Sequence, residues 1–92
     1  MEFEWDLAKA TQNLRKHKVT FNEATTVFGD FLSITVADPD HSISERRFIT
    51  VGNSGRGRLL LVAHAQRDEI IRLISARTLT RRERKNYEST QE

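Results

Sequence analysis

The stretch RDEIIRLISARTLTRRE at positions 67–83 decides the fold. Within it Ile70, Ile71, Leu73, Ile74 and Ala76 form a nearly continuous apolar run, and its isoleucines are β-branched. A strand with one wet face alternates between apolar and polar residues. An unbroken run reads instead as a strand covered on both faces, at the centre of a sheet. Arg67 precedes the run, Arg72 interrupts it and Arg77 ends it. Thr80 and Glu83 then carry the T-x-x-E spacing of a capping box, so a helix starts there. The expected layout is a central strand set among arginines, with a basic helix attached and the arginines facing a polyanion.

Working upstream, residues 58–66 read as a strand, apolar throughout from Leu59 to Ala63, and Arg67-Asp68-Glu69 is a tight polar turn. The glycine-rich GNSGRG at 52–57 is a hairpin connection rather than a phosphate-binding loop, because the lysine–hydroxyl ending is missing. Residues 46–53 form the strand before it, with Ile49 and Val51 inward and Phe48 opposite. Residues 31–38 alternate, Leu32, Ile34 and Val36 on one face and Ser33 and Thr35 on the other, which predicts a half-buried strand. Asp38-Pro39-Asp40 is turn chemistry, and 41–45 reads as a polar loop. Two helices come earlier. Asp6 is the N-cap of the first, whose buried stripe is Leu7, Ala10, Leu14 and His17, with Lys9, Asn13 and Lys16 on a different face. Thr20 and Glu23 make a second capping box ahead of a helix with Phe21, Ala24, Val27 and Phe28 inward and Gly29 as a left-handed stop. Residues 3–5 are a short edge strand, and the last helix runs over about 81–88, with Tyr87 able to fold back on the sheet. The class is α+β, in the order β-α-α-β-β-β-β-α, with an antiparallel central sheet.

Composition narrows the function classes. Ninety-two residues make one domain, and the absence of cysteine removes disulfides and thiolate metal sites. The N-terminal MEFEWD is acidic, without the layout of a signal peptide, and no apolar run approaches a membrane span, so a cytoplasmic protein is expected. The net charge of +2 conceals an asymmetry: residues 1–45 hold four Lys/Arg against eight Asp/Glu, residues 56–85 nine against three. The basic half either meets an anionic partner or pairs with the acidic half. The three histidines stand 24 and 23 residues apart, which is not the spacing of a helical zinc pair, so no metal and no cofactor are expected.

Several segments in order then resemble one family: FEWD at 3–6, N-x-x-K-H at 13–17, F-x-E-A-x-x-V-F-x-D at 21–30, D-x-x-H-S at 38–42, E-x-R at 45–47, G-x-S-x-x-G-R at 52–58, IIRLISAR at 70–77 and E-x-x-x-Y at 83–87. Together they resemble BrnT, small toxins of bacterial type II toxin–antitoxin modules. Lys18 departs from the pattern, which more often has glycine there, and this should affect only the helix end. The resemblance implies a RelE-like fold, ribonuclease activity against mRNA, and neutralisation by a BrnA-type antitoxin whose ribbon-helix-helix element binds operator DNA as part of the complex.

A metal-independent ribonuclease needs a base for the ribose 2′-hydroxyl, an acid for the leaving 5′-oxygen and cations for the phosphorane charge. Arginine suits the last role, because its fork matches two phosphate oxygens. Arg67 and Arg77 are the leading cations and share a cleft if Arg67 reaches inward from its turn. Arg72 is expected to pair with an acidic residue. His41 and Glu45 are the acid–base candidates, with Glu45 alternatively holding Arg47 in a structural pair, and His17 reads as a core or helix-end histidine. Trp5, Lys16, Arg47, Arg58 and Tyr87 are the candidate RNA contacts, Trp5 and Tyr87 by stacking. The competing function is a non-catalytic module that binds nucleic acid or protein through its basic sheet face.

Overall fold

The computed structural model describes residues 1–38 and 45–91. In chain order the elements are β1 (Glu2–Glu4), α1 (Leu7–His17), α2 (Phe21–Thr26) with a 3₁₀ turn over Val27–Gly29, β2 (Ile34–Ala37), β3 (Arg47–Asn53), β4 (Leu59–Arg67), β5 (Ile70–Thr78) and α3 (Arg81–Thr90). The strands make one sheet in the spatial order β1-β5-β4-β3-β2. β2, β3, β4 and β5 pair antiparallel in succession, whereas β1, which the two helices separate from β2 in the chain, pairs with β5 in parallel.

Local chemistry sets the helix ends. The Asp6 carboxylate accepts from the Ala8 and Lys9 amides at 2.8 and 3.1 Å and starts α1. Lys18 ends it in the left-handed region at φ 61°, its amide bonded to the Leu14 carbonyl at 3.0 Å. Gly29 is not in that region; the backbone leaves the 3₁₀ turn through an extended Asp30 instead. The Thr20 hydroxyl accepts from the Glu23 amide, but Glu23 does not return the bond, so this cap is half a box. At α3 both bonds of the Thr80–Glu83 box are made.

The core lies between the helices and one sheet face. Val19, Phe21, Ala24 and Val27 pack against Leu60, Val62, Ile71, Leu73 and Ala76, with Phe3, Trp5, Ala10 and Phe28 at the margin. Cross-strand partners share a face, so this inner face also receives Phe48, Thr50 and His64. The outer face receives Ile34, Val36, Ile49, Val51, Leu61 and, at its other end, Arg47, Ala65 and Arg72. α3 crosses the apolar end of this face without burying any of its own side chains fully.

Four expectations are corrected here. β5 is not the centre of the sheet: β4 is, and β5 lies between β4 and the edge strand β1. Nor is β5 covered on both faces. Its pairing shifts so that Ser75 faces Ala63 and Leu73 faces His64, leaving Ile74 as a bulge. The bulge resets the alternation, which makes two one-sided segments look like one continuous apolar run. On β3, Phe48 is the residue on the core face, stacked on His64, and Ile49 and Val51 lie under α3. On α1, Leu7 and Leu14 are exposed while Asn13 is buried.

Asn13 is buried because it finishes the sheet. β1 ends at Glu4, so the outer edge of β5 is bare beyond Arg72. The Asn13 carboxamide donates to the Ala76 carbonyl at 2.8 Å and accepts from the Ala76 amide at 3.0 Å, as a neighbouring strand would. It also donates to the Val19 carbonyl at 2.9 Å. An amide side chain carries both donors and an acceptor, which no aliphatic residue at this position offers.

The β3–β4 hairpin is tied to α2. Gly57 at φ 80° closes the turn, and Gly52 passes so close to Ser33 that a Cβ would sit 2.8 Å from the serine Cβ. The Glu23 carboxylate accepts from Ser54 Oγ at 2.7 Å and from the Arg58 guanidinium through Nε at 2.9 Å and through Nη2. The Arg58 contact holds the Glu23 carboxyl below its usual range even though it is buried.

Candidate functional site

The cationic end of the outer face is built by register. Arg47, the first residue of β3, stands opposite Ala65 on β4, and Ala65 stands opposite Arg72 on β5. Two inter-strand spacings therefore separate the two arginines, roughly 10 Å between their Cα atoms. Ala65 is fully buried beneath them and sends nothing between them. Arg67 lies two residues further along β4, on the same face and exposed. Glu45, just before β3, reaches Arg47 with Oε1 3.3 Å from Nε, both side chains being partly buried. Arg72 lines a small surface cleft with Glu4, Trp5 and Asp6 and makes no salt bridge within the salt-bridge distance among the described residues. The expectation that it would be consumed by an acidic partner does not hold.

The other basic end is organised differently. Arg77 grips Glu83 with two parallel bonds of 2.8 and 2.9 Å and also donates to the Thr78 carbonyl at 3.2 Å. Glu83 accepts the Thr80 amide at 2.9 Å as well. Arg77 first, and that amide second, hold the Glu83 carboxyl down at about 2, and Glu83 in turn raises Arg77. This ion pair fixes the start of α3 against the sheet. Arg67 faces Ile70 at one end of β5, and Arg77 is seven residues away toward the other end, a separation of roughly 23 Å. The shared Arg67–Arg77 cleft does not form.

The remaining sequence candidates scatter. His41 lies outside the described residues. Arg58 is committed to Glu23 and to the Lys18 carbonyl at 3.0 Å, far from the Arg47–Arg72 row in sheet register. Trp5 sets its ring edge-on to Phe21 at 5.8 Å, covering the end of the core. Tyr87 donates to the Leu32 carbonyl at 2.8 Å, and burial raises its hydroxyl. Lys16 is exposed on α1, along a surface cleft with Lys9, Gln12, His17 and Ser75. The structure thus brings Glu45, Arg47 and Arg67 together and adds Arg72. Reading β5 as one-sided would have placed Arg72 on the face opposite Ile71 and Leu73. Among the described residues no group of three His, Asp or Glu side chains is arranged to hold a metal ion.

Fold and charge together define a small α+β protein that covers one sheet face with helices and presents arginines on part of the other. The chain belongs to the BrnT family, the ribonuclease toxins of type II toxin–antitoxin systems, whose family model matches residues 5–83. It is therefore a ribonuclease toxin with RNA as substrate and an antitoxin as partner. The fold is similar to the 1.1 Å crystal structure of the Brucella abortus ribonuclease toxin BrnT, with a TM-score of 0.64 at 19% sequence identity over 88% of this chain and 99% of that one. At that identity the likeness speaks for fold alone. No curated protein matches the sequence. No helix among the described residues is long and apolar enough to cross a membrane.

Proposed function

We propose that this toxin is a metal-independent endoribonuclease that cleaves mRNA and so inhibits translation in the cytoplasm, on a RelE-like scaffold. The observation that carries the reading is the Arg47–Ala65–Arg72 row with Arg67 beside it. Two arginines flank Ala65 on this face, and a guanidinium fork matches two oxygens of a phosphodiester. In the reaction Glu45 takes the proton of the ribose 2′-hydroxyl and the 2′-oxygen attacks phosphorus. The P–O5′ bond breaks, and the 5′-oxygen leaves with a proton from a general acid, for which His41 is the candidate. The products are a 2′,3′-cyclic phosphate and a 5′-hydroxyl. Arg47 and Arg72 stabilise the charge that develops on the phosphorane oxygens, and their contribution is larger in the transition state than in the bound substrate. Arg67 guides the strand, and Arg77 serves the reaction through α3 rather than at phosphorus. The partner is a BrnA-like antitoxin with a ribbon-helix-helix element, and the complex binds operator DNA.

The test is cleavage of a defined mRNA by purified protein with and without a chelator. Arg47→Ala and Arg72→Ala each lower kcat by about 10²- to 10³-fold, chelator changes nothing, and Arg77→Ala lowers activity only as far as it lowers stability. Full activity in an Arg47→Ala, Arg72→Ala double variant removes the row from the mechanism. Tight RNA binding with no scission by the wild type favours a non-catalytic binding module.

A further inference from the structure

The apolar end of the outer face is left unused by the reaction above. Ile34, Val36, Ile49, Val51, Leu61 and Leu79 floor an open cleft of about 230 Å³ beside α3. The patch continues past it: Phe31 is fully exposed, and Leu32 and Val36 are 59% and 54% exposed. These residues sit on β2 and its approach, and contiguous apolar surface of this kind marks an interface. β2 is also an edge strand. The Asp38 amide donates to the Arg47 carbonyl at 2.9 Å, which makes Asp38 a hydrogen-bonded position toward β3. Alternation then gives Ile34 and Val36 the same orientation and turns the backbone groups of Thr35 and Ala37 to the free edge. The Thr35 and Thr50 hydroxyls approach to 2.7 Å, as side chains of a non-hydrogen-bonded pair do. Nothing among the described residues pairs with that edge.

We infer that β2 is the docking edge for the antitoxin, which adds an extended segment of alternating apolar and acidic residues to the sheet. This rests on the reading of the protein as a toxin held by a partner, and it names the surface. The charge of the surroundings selects the acidic side chains: Arg46 and Arg47 stand at one end of the edge, and exposed Arg81, Arg82, Arg84 and Lys85 lie along α3. The floor selects the apolar ones, since it is aliphatic. A nucleobase would call for aromatic platforms, and among the described residues the cleft itself is lined by a single ring, Tyr87, whose hydroxyl is committed to Leu32. A strand on this edge supplies main-chain bonds for affinity and side-chain pockets for specificity. It also places acidic groups beside Arg47, so that docking and inhibition are one event.

The test uses the purified full chain and the antitoxin of the same module. Val36→Glu weakens antitoxin binding at least 30-fold while RNA cleavage stays at the wild-type rate. Ala37→Pro removes a free-edge N–H without touching the pairing to β3 and weakens it at least tenfold. In the wild-type complex the Thr35 and Ala37 amides gain protection from hydrogen exchange. Binding by both variants within threefold of wild type, or protection confined to the Arg47–Arg72 end, overturns the assignment. A Val36→Glu protein that loses RNA affinity and keeps antitoxin affinity also overturns it, and makes the cleft a nucleic-acid site. A wild-type protein that cleaves no RNA counts against the catalytic reading alone, because the antitoxin affinities are measured separately.

Discussion

His64 gives the protein a stability that acid removes, and its size follows from the structure. The ring is 2% exposed, stacked on Phe48 at 5.8 Å and edge-on to Phe28 at 5.0 Å. Nε2 lies 2.8 Å from the Thr50 hydroxyl, which lies 2.7 Å from that of Thr35, and Nδ1 has no partner among the described residues. The neutral form with the proton on Nε2 donates to Thr50 and leaves only a lone pair unsatisfied. Protonation would put an unpaired N–H and a charge among aromatic rings. Burial therefore pushes the imidazole from 6.5 down to about 4. The unfolded chain takes up a proton as pH falls below 6.5 and the folded chain does not. The contribution is present above 6.5, is lost as pH falls from there, and is gone below about 4. Across that window, at about 1.4 kcal/mol for each pH unit, it comes to about 3.5 kcal/mol, of which about 2 kcal/mol is gone by pH 5. Urea unfolding of the wild type and of His64→Gln at pH 7, 6 and 5 measures it. The variant is less stable at pH 7, and its curve is flatter by about 2 kcal/mol over this range. Profiles that run parallel to within about 0.5 kcal/mol would refute the reasoning. Glu23 and Glu83, whose carboxyls are held low, lose their contributions only below about pH 4.5 and do not enter the comparison.

Three other perturbations follow from single contacts. Asn13→Leu strands the Ala76 amide and carbonyl at the bare β5 edge and should cost about 3 kcal/mol in urea unfolding; a loss under 1 kcal/mol would mean that water replaces the carboxamide. Lys18→Gly relieves a lysine at φ 61° and should raise stability by about 1 kcal/mol, seen as a higher thermal midpoint with RNA cleavage unchanged. Glu23→Gln leaves the Arg58 guanidinium without its carboxylate and should cost about 2–3 kcal/mol, with hydrogen exchange rising first in the 53–58 turn that the carboxylate holds.

Much of the fold was legible because it is local. Helix starts at Asp6, Thr20 and Thr80, the turn at Gly57 and the alternation of β2 depend on residues within a few positions of each other, so the sequence by itself determines the elements and their order. It also determines the family, through ordered motifs over most of the chain. What it could not determine was which residues meet. The apolar run of β5 looked two-sided because a bulge at Ile74 changes phase, and a bulge exists only against a partner strand. Asn13 looked like a surface residue because its role, completing a strand edge, belongs to Ala76, 63 residues away. The cations were sorted in the same way: Arg58 and Arg77 look like Arg72 in sequence, but Glu23 holds the first and Glu83 the second. Only cross-strand register, set by long-range pairing, places Arg47 and Arg72 on either side of Ala65.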